Sequence, residues 1–165
     1  MKTLSLLFIV AGFVSNSSAQ AAGKFTCRPT VESVSGMIPL KVDIQRQVSL
    51  SLDQMNHPRY STARQELVLT AKDFENASSS SVDGVVRVSL VLETYSRQSP
   101  RLLIFIDYTR KLSRMVEAVE GDMVEINPEQ LIATDDYSSK QAIQFHMTTY
   151  RGNVKRVNVS CILEK

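Results

Sequence analysis

The sequence predicts an all-β protein, a single-domain antiparallel β-barrel or β-sandwich of about eight strands with its ends tied by a disulfide. Three observations carry that expectation. Apolar residues recur with a period of two in successive runs, as in Leu40, Val42, Ile44, Val48, Leu50 and Leu52, or Val86, Val88, Leu90 and Leu92. This is the pattern of strands with one buried face, and no heptad or long amphipathic helical pattern competes with it. The only cysteines, Cys27 and Cys161, stand near opposite ends of the chain.

From the start, Met1-Lys2-Thr3 is short and positive, Leu4 to Val14 is apolar apart from Ser5, and Ser15 to Ala21 is small and polar, ending Ala19-Gln20-Ala21. That three-part layout is a secretory signal peptide over 1–21, leaving one β domain over 22–165 in the periplasm or outside the cell. Export places Cys27 and Cys161 where thiols oxidise, so they are expected to pair. Integral membrane insertion is not expected, because no window approaches the length of a spanning helix. An outer-membrane barrel would need aromatic girdles, and the chain has no Trp. Removing Lys2 from the 19 basic residues leaves them nearly balanced against 17 acidic ones, which argues against a nucleic-acid binder.

Lys24 to Pro29 reads as a short strand halted by its proline. Leu40 to Leu52 is the longest alternating run; Arg46 interrupts its apolar face, as expected of a bulge or a rim position. Asp53 to Thr62 reads as a loop containing His57, and a strand follows from about Arg64 to Phe74. Asn76-Ala77-Ser78-Ser79-Ser80-Ser81 has nothing to bury and reads as a connector. Val85–Tyr95 and Arg101–Arg110 form a hairpin across residues 96–100. Leu103 and Phe105 are apolar on its second face, which suggests a strand covered on both sides or lying under a long loop. Met115 to Val119 is a weaker strand, and Asn127-Pro128 starts a short helical turn.

The final hairpin, Gln141–Tyr150 and Val154–Leu163, permits a choice of register. A three-residue loop, Arg151-Gly152-Asn153, sets Ile143 against Cys161, Phe145 against Val159 and Met147 against Val157. The other face then holds Gln144/Ser160, His146/Asn158 and Thr148/Arg156. A two-residue loop would put Phe145 opposite Ser160 and Met147 opposite Asn158. Only the former separates dry from wet, so it is the expected register, with Ile143, Phe145, Met147, Val157 and Val159 in the core.

Chemistry leaves little trace. His57 and His146 are the only imidazoles, and neither nucleophile, phosphate-loop, dinucleotide nor metalloprotease motifs occur. The expectation is therefore no catalytic residue, no cofactor and no metal site. Seven acids between Glu117 and Asp136 without a base read as a charged sheet edge, with calcium binding as the functional alternative. Basic residues gather near the second hairpin, including Arg97 and Arg101, and at the tip of the last, Arg151, Lys155 and Arg156. Together with His146 these form the candidate partner surface. The expected function is an exported, non-enzymatic domain binding a protein, glycan or envelope component. The alternatives are a carrier holding a small apolar ligand inside a barrel, and a hydrolase built on a histidine.

Overall fold

The computed structural model describes residues 23–33, 36–38, 46–53, 61–73, 84–95, 98–111, 117–150 and 153–164. The expected signal peptide, residues 40–45 of the long alternating run, His57, the serine-rich connector, Arg97 and Arg151 lie outside them. The strands are β1 (Lys24–Ser33), β2 (Gly36–Ile38), β3 (Val48–Ser51), β4 (Ser61–Leu69), β5 (Gly84–Tyr95), β6 (Gln98–Lys111), β7 (Glu117–Ile126), β8 (Ile143–Thr148) and β9 (Val154–Glu164). They form two antiparallel sheets. The first is five-stranded, ordered β2-β1-β9-β8 with β3 also paired to β1, and the second is a four-stranded meander, β4-β5-β6-β7.

The architecture is a sandwich. The first described strand does pair with the last, β1 against β9 from Lys24/Glu164 to Val31/Val157 and beyond. A closed barrel would have used that pairing to eliminate sheet edges; here it forms the middle of the first sheet, while β8 remains an edge. Cys27 and Cys161 are direct cross-strand partners, joined by a disulfide with an S–S distance of 2.02 Å, and both are fully buried.

Alternation decides which side chains enter the space between the sheets. From the second sheet come Val86, Val88, Leu90 and Leu92 of β5 and Leu102, Ile104, Ile106 and Tyr108 of β6. From the first come Phe25, Cys27 and Val31 of β1, Val48 and Leu50 of β3, and Val157, Val159 and Cys161 of β9. Each such large side chain contributes about 1.5–3 kcal/mol by leaving water. The final hairpin has the expected register, with Ile143 opposite Cys161 and Met147 opposite Val157. Met147, Val157 and Val159 are fully enclosed, whereas Ile143 and Phe145 are partly buried because β8 is an edge strand.

Several elements depart from their expected bounds for identifiable reasons. β1 continues through Pro29: β3 pairs with Lys24 to Cys27 and β2 with Val31 to Ser33, so position 29 falls in the gap between them. The missing N–H therefore interrupts neither ladder. The second hairpin turns more tightly than expected, with Tyr95 paired to Gln98, and a shift between Glu93 and Tyr95 absorbs Ser99 and Pro100. β7 extends to Ile126 through the acidic stretch, held along its length by β6. β4 begins at Ser61, inside the expected loop, and ends at Leu69. Thr70 and Asp73 then close a 3₁₀ turn over Ala71–Asp73. The Thr70 backbone N–H donates to Asp73 Oδ2 at 2.8 Å and its hydroxyl donates to the same oxygen at 3.1 Å. Arg46 takes a rim position, its Nη2 lying 2.5 Å from Asp73 Oδ1.

The apolar residues on the second face of β5 and β6 are also explained. Val91 and Leu103 share a cross-strand row with Arg64 and Glu125. Around them Arg64 and Arg87 pair with Glu66, and Arg101 pairs with Glu93 and Glu125. Long charged side chains thus frame an apolar centre, their stems suited to covering it.

Candidate functional site

The outward face of β1, β9 and β8 is a polar grid fixed by two registers. Across the strands its rows are Arg28–Ser160–Gln144, Thr30–Asn158–His146 and Glu32–Arg156–Thr148. Neighbours within a row stand about 5 Å apart, and successive rows about 7 Å apart along the strands. Thr30, Gln144, His146, Asn158 and Ser160, with Phe145 and Val159 between them, line a shallow recess of about 340 Å³. The side chains of Thr30, His146, Thr148, Asn158, Ser160 and Arg156 have no hydrogen-bond or ion-pair partner among the described residues.

The rim is more constrained. Between Glu32 and Ser33 the β1–β9 register slips, so that Glu32 faces Arg156 while Ser33 faces Val154. Lys155 is the extra, bulged residue, and its Nζ lies 3.5 Å from Glu32 Oε1. At the opposite end the segment after β7 folds back on the sheet. Ala133 bridges Leu163, and the Thr134 N–H donates to the Leu163 carbonyl at 2.9 Å. Tyr137 then lies under Arg28, whose guanidinium carbon is 4.2 Å from the ring centroid. The Gln144 amide donates to the Tyr137 carbonyl at 3.2 Å. Burial raises the Tyr137 phenol above its ordinary pKa, with the nearby Arg28 guanidinium opposing the effect, and the phenol oxygen has no well-formed hydrogen bond among the described residues. Asp136 holds the turn by accepting from the Ser138 hydroxyl and backbone N–H, which lowers its carboxyl pKa.

The candidate partner residues are therefore divided. His146, Lys155 and Arg156 share one end of the first sheet. Arg101 belongs to the outer face of the second, where its Nη2 is 2.8 Å from Glu93 and its Nη1 is 3.4 Å from Glu125. Its donation, followed by that of the Tyr95 hydroxyl, lowers the Glu93 pKa. Sequence patterning missed Arg28 and Thr30, which join the face only through the β1–β9 register; the Cys27–Cys161 pair was the signal that could have located them.

The acids between Glu117 and Asp136 separate rather than converge. Glu120 accepts from the Tyr150 N–H at 2.9 Å, Glu125 meets Arg101, and Asp136 serves its own turn. Among the described residues no group of three or more His, Cys, Asp or Glu could hold a metal ion. No described helix is long and apolar enough to cross a membrane. A second groove, of about 310 Å³, opens where the end of β7 approaches the start of β8, with Ile126, Leu131, Ile132 and Ile143 in its lining. No protein-family model matches the chain, and no curated protein or solved structure is significantly similar to it.

Proposed function

We propose that this chain is an exported, non-enzymatic β-domain that binds a protein, glycan or envelope component through the outward face of β1, β9 and β8. The observation that carries this reading is the concentration of unpartnered polar side chains around one recess, Thr30, His146, Asn158 and Ser160 with Arg156 at its edge. The charged residues framing the outer face of the second sheet instead satisfy one another. A rigid sheet holding unsatisfied donors and acceptors in fixed positions is pre-organised for a ligand. The signal-peptide layout supports export, and the disulfide is compatible with it. Catalysis is not favoured: a general base is usually oriented by a third group, and His146 has no such partner among the described residues.

The test compares wild-type protein with a Thr30→Ala/His146→Ala/Asn158→Ala variant, both immobilised, against an envelope fraction of the native host. The expected result is a component retained by the wild type, lost on the variant, and rebound when purified. Equal retention by both proteins, with equal melting temperatures, would remove the proposal. A second reading rests on the groove containing Ile126, Leu131, Ile132 and Ile143, which suits a small apolar ligand. Native mass spectrometry of protein from its own host should then show an added mass, and a bare polypeptide mass refutes it.

A further inference from the structure

We infer that the ligand of the β1–β9–β8 face is an anionic oligosaccharide, a chain of sugars bearing carboxylate or sulfate groups. The inference rests on the reading that this face is the binding surface. Its charge leans positive: Arg28, Lys155 and Arg156 are the cations of the grid, its acid Glu32 is engaged by Lys155, and beyond the Arg28 row Glu164 is engaged by Lys24. Arg156 has no ion-pair partner among the described residues; its Nε is buried, which leaves the Nη groups of the guanidinium to meet an anion. Between the Arg28 row and the Arg156 row lies the neutral row Thr30–Asn158–His146. The two cations thus bracket hydroxyl, amide and imidazole groups along roughly 13 Å of strand.

That order matches a ligand with hydroxyls along its length and negative groups at intervals. Hydroxyl and amide side chains both donate and accept, as sugar hydroxyls do. An acidic peptide fits less well. The surface is a sheet face, offering side chains rather than the main-chain ladder by which an edge captures a strand. The recess also lacks an apolar pocket for an anchoring side chain, since its outward-facing lining is Thr30, Gln144, His146, Asn158 and Ser160. Single-stranded nucleic acid would need aromatic platforms, and Tyr137 at the end of the face is already covered by Arg28.

The experiment is a titration of isotope-labelled full-length protein, followed by backbone amide shifts. The probes are a short oligouronate, a sulfated oligosaccharide, a neutral oligosaccharide of equal length and a polyglutamate peptide of equal charge. At least one anionic sugar should shift the amides of Thr30, His146 and Asn158, and which one binds identifies the anion. Arg156→Gln should weaken it about tenfold, the worth of one charge-assisted hydrogen bond. Arg64→Gln, on the other sheet, should leave binding unchanged. Polyglutamate or the neutral sugar binding as tightly as the anionic sugars would overturn the inference, as would affinity surviving both Arg156→Gln and Asn158→Ala. Absence of binding by either anionic sugar while a face-dependent envelope component is still retained would overturn the glycan assignment alone. Loss of that retention as well would overturn the reading of the face.

Discussion

Replacing both members of the Cys27–Cys161 bridge by alanine should cost about 5 kcal/mol from the unfolded chain alone. The bridge closes a loop with a sequence separation of 134. For a loop of that size the chain-entropy relation gives about 17 cal/mol/K, or about 5 kcal/mol at 25 °C. Both side chains are fully buried, so Cys27→Ala/Cys161→Ala also removes core contacts, adding on the order of 1 kcal/mol or more. An unfolding entropy of about 2.1 cal/mol/K per residue, over roughly 140 residues, converts 5 kcal/mol to a fall of about 17 °C in melting temperature. Thermal unfolding followed by circular dichroism, with wild type and variant each in oxidising and reducing buffer, separates the contributions. Oxidised against reduced wild type isolates the chain-entropy effect, and reduced wild type against variant isolates the packing effect. A drop below about 5 °C between oxidised and reduced wild type, with thiol titration confirming both states, would refute this account.

Other consequences follow from individual contacts. Asp73→Ala removes both the Arg46 ion pair and the bonds from Thr70, and should destabilise by about 2 kcal/mol in urea denaturation, since Asp73 is buried and Arg46 only partly so. Tyr137→Phe deletes a buried hydroxyl without a well-formed hydrogen bond and should be neutral or stabilising, whereas Tyr137→Ala also loses the ring beneath Arg28 and should cost at least about 1 kcal/mol by the same measurement. Glu93 should titrate below the usual carboxylate range in a nuclear magnetic resonance pH series, and Arg101→Gln should return it upward. Because the folded pKa is the depressed one, its stabilisation is present above the unfolded value of about 4.3 and is lost as pH falls through the folded value. Gly84→Ala should lower the melting temperature, because a Cβ there would strike the Thr109 carbonyl and come within 2.8 Å of the Tyr108 ring.

The pairing register of β8 and β9 was legible because a one-residue slip would have exchanged its dry and wet faces, leaving one acceptable register. β7 was harder to read, since its edge position leaves Val119 and Met123 exposed and sets Glu120 and Asp122 on the same side as Val124 and Ile126. Burial on one face could not impose a clean alternation there. The course of β1 through Pro29 depended on two short strands leaving a gap at that residue, a fact of tertiary arrangement that local propensity does not contain. The polar face was half legible: His146, Asn158 and Arg156 lie within one local hairpin, while Arg28 and Thr30 arrive from the far end of the sequence. Direct cross-strand pairing of the two cysteines implies the pairs Arg28/Ser160 and Thr30/Asn158, one step and three steps off the cysteine row respectively.

The two sheets also differ in when they can form. The second is built from consecutive strands, β4 to β7, joined as a meander, so its pairings close over short stretches of chain. The first joins β1 to β9, and no copy of that pairing can exist until the last strand has been synthesised. Long-range closure is slow, and exposed edges wait while it happens. A chain folding from its N-terminus would thus hold the meander early, with one greasy face uncovered, and complete the sandwich only once β9 is available. Sealing the cysteines must wait for β9, and an oxidase arriving earlier would find Cys27 with no native partner.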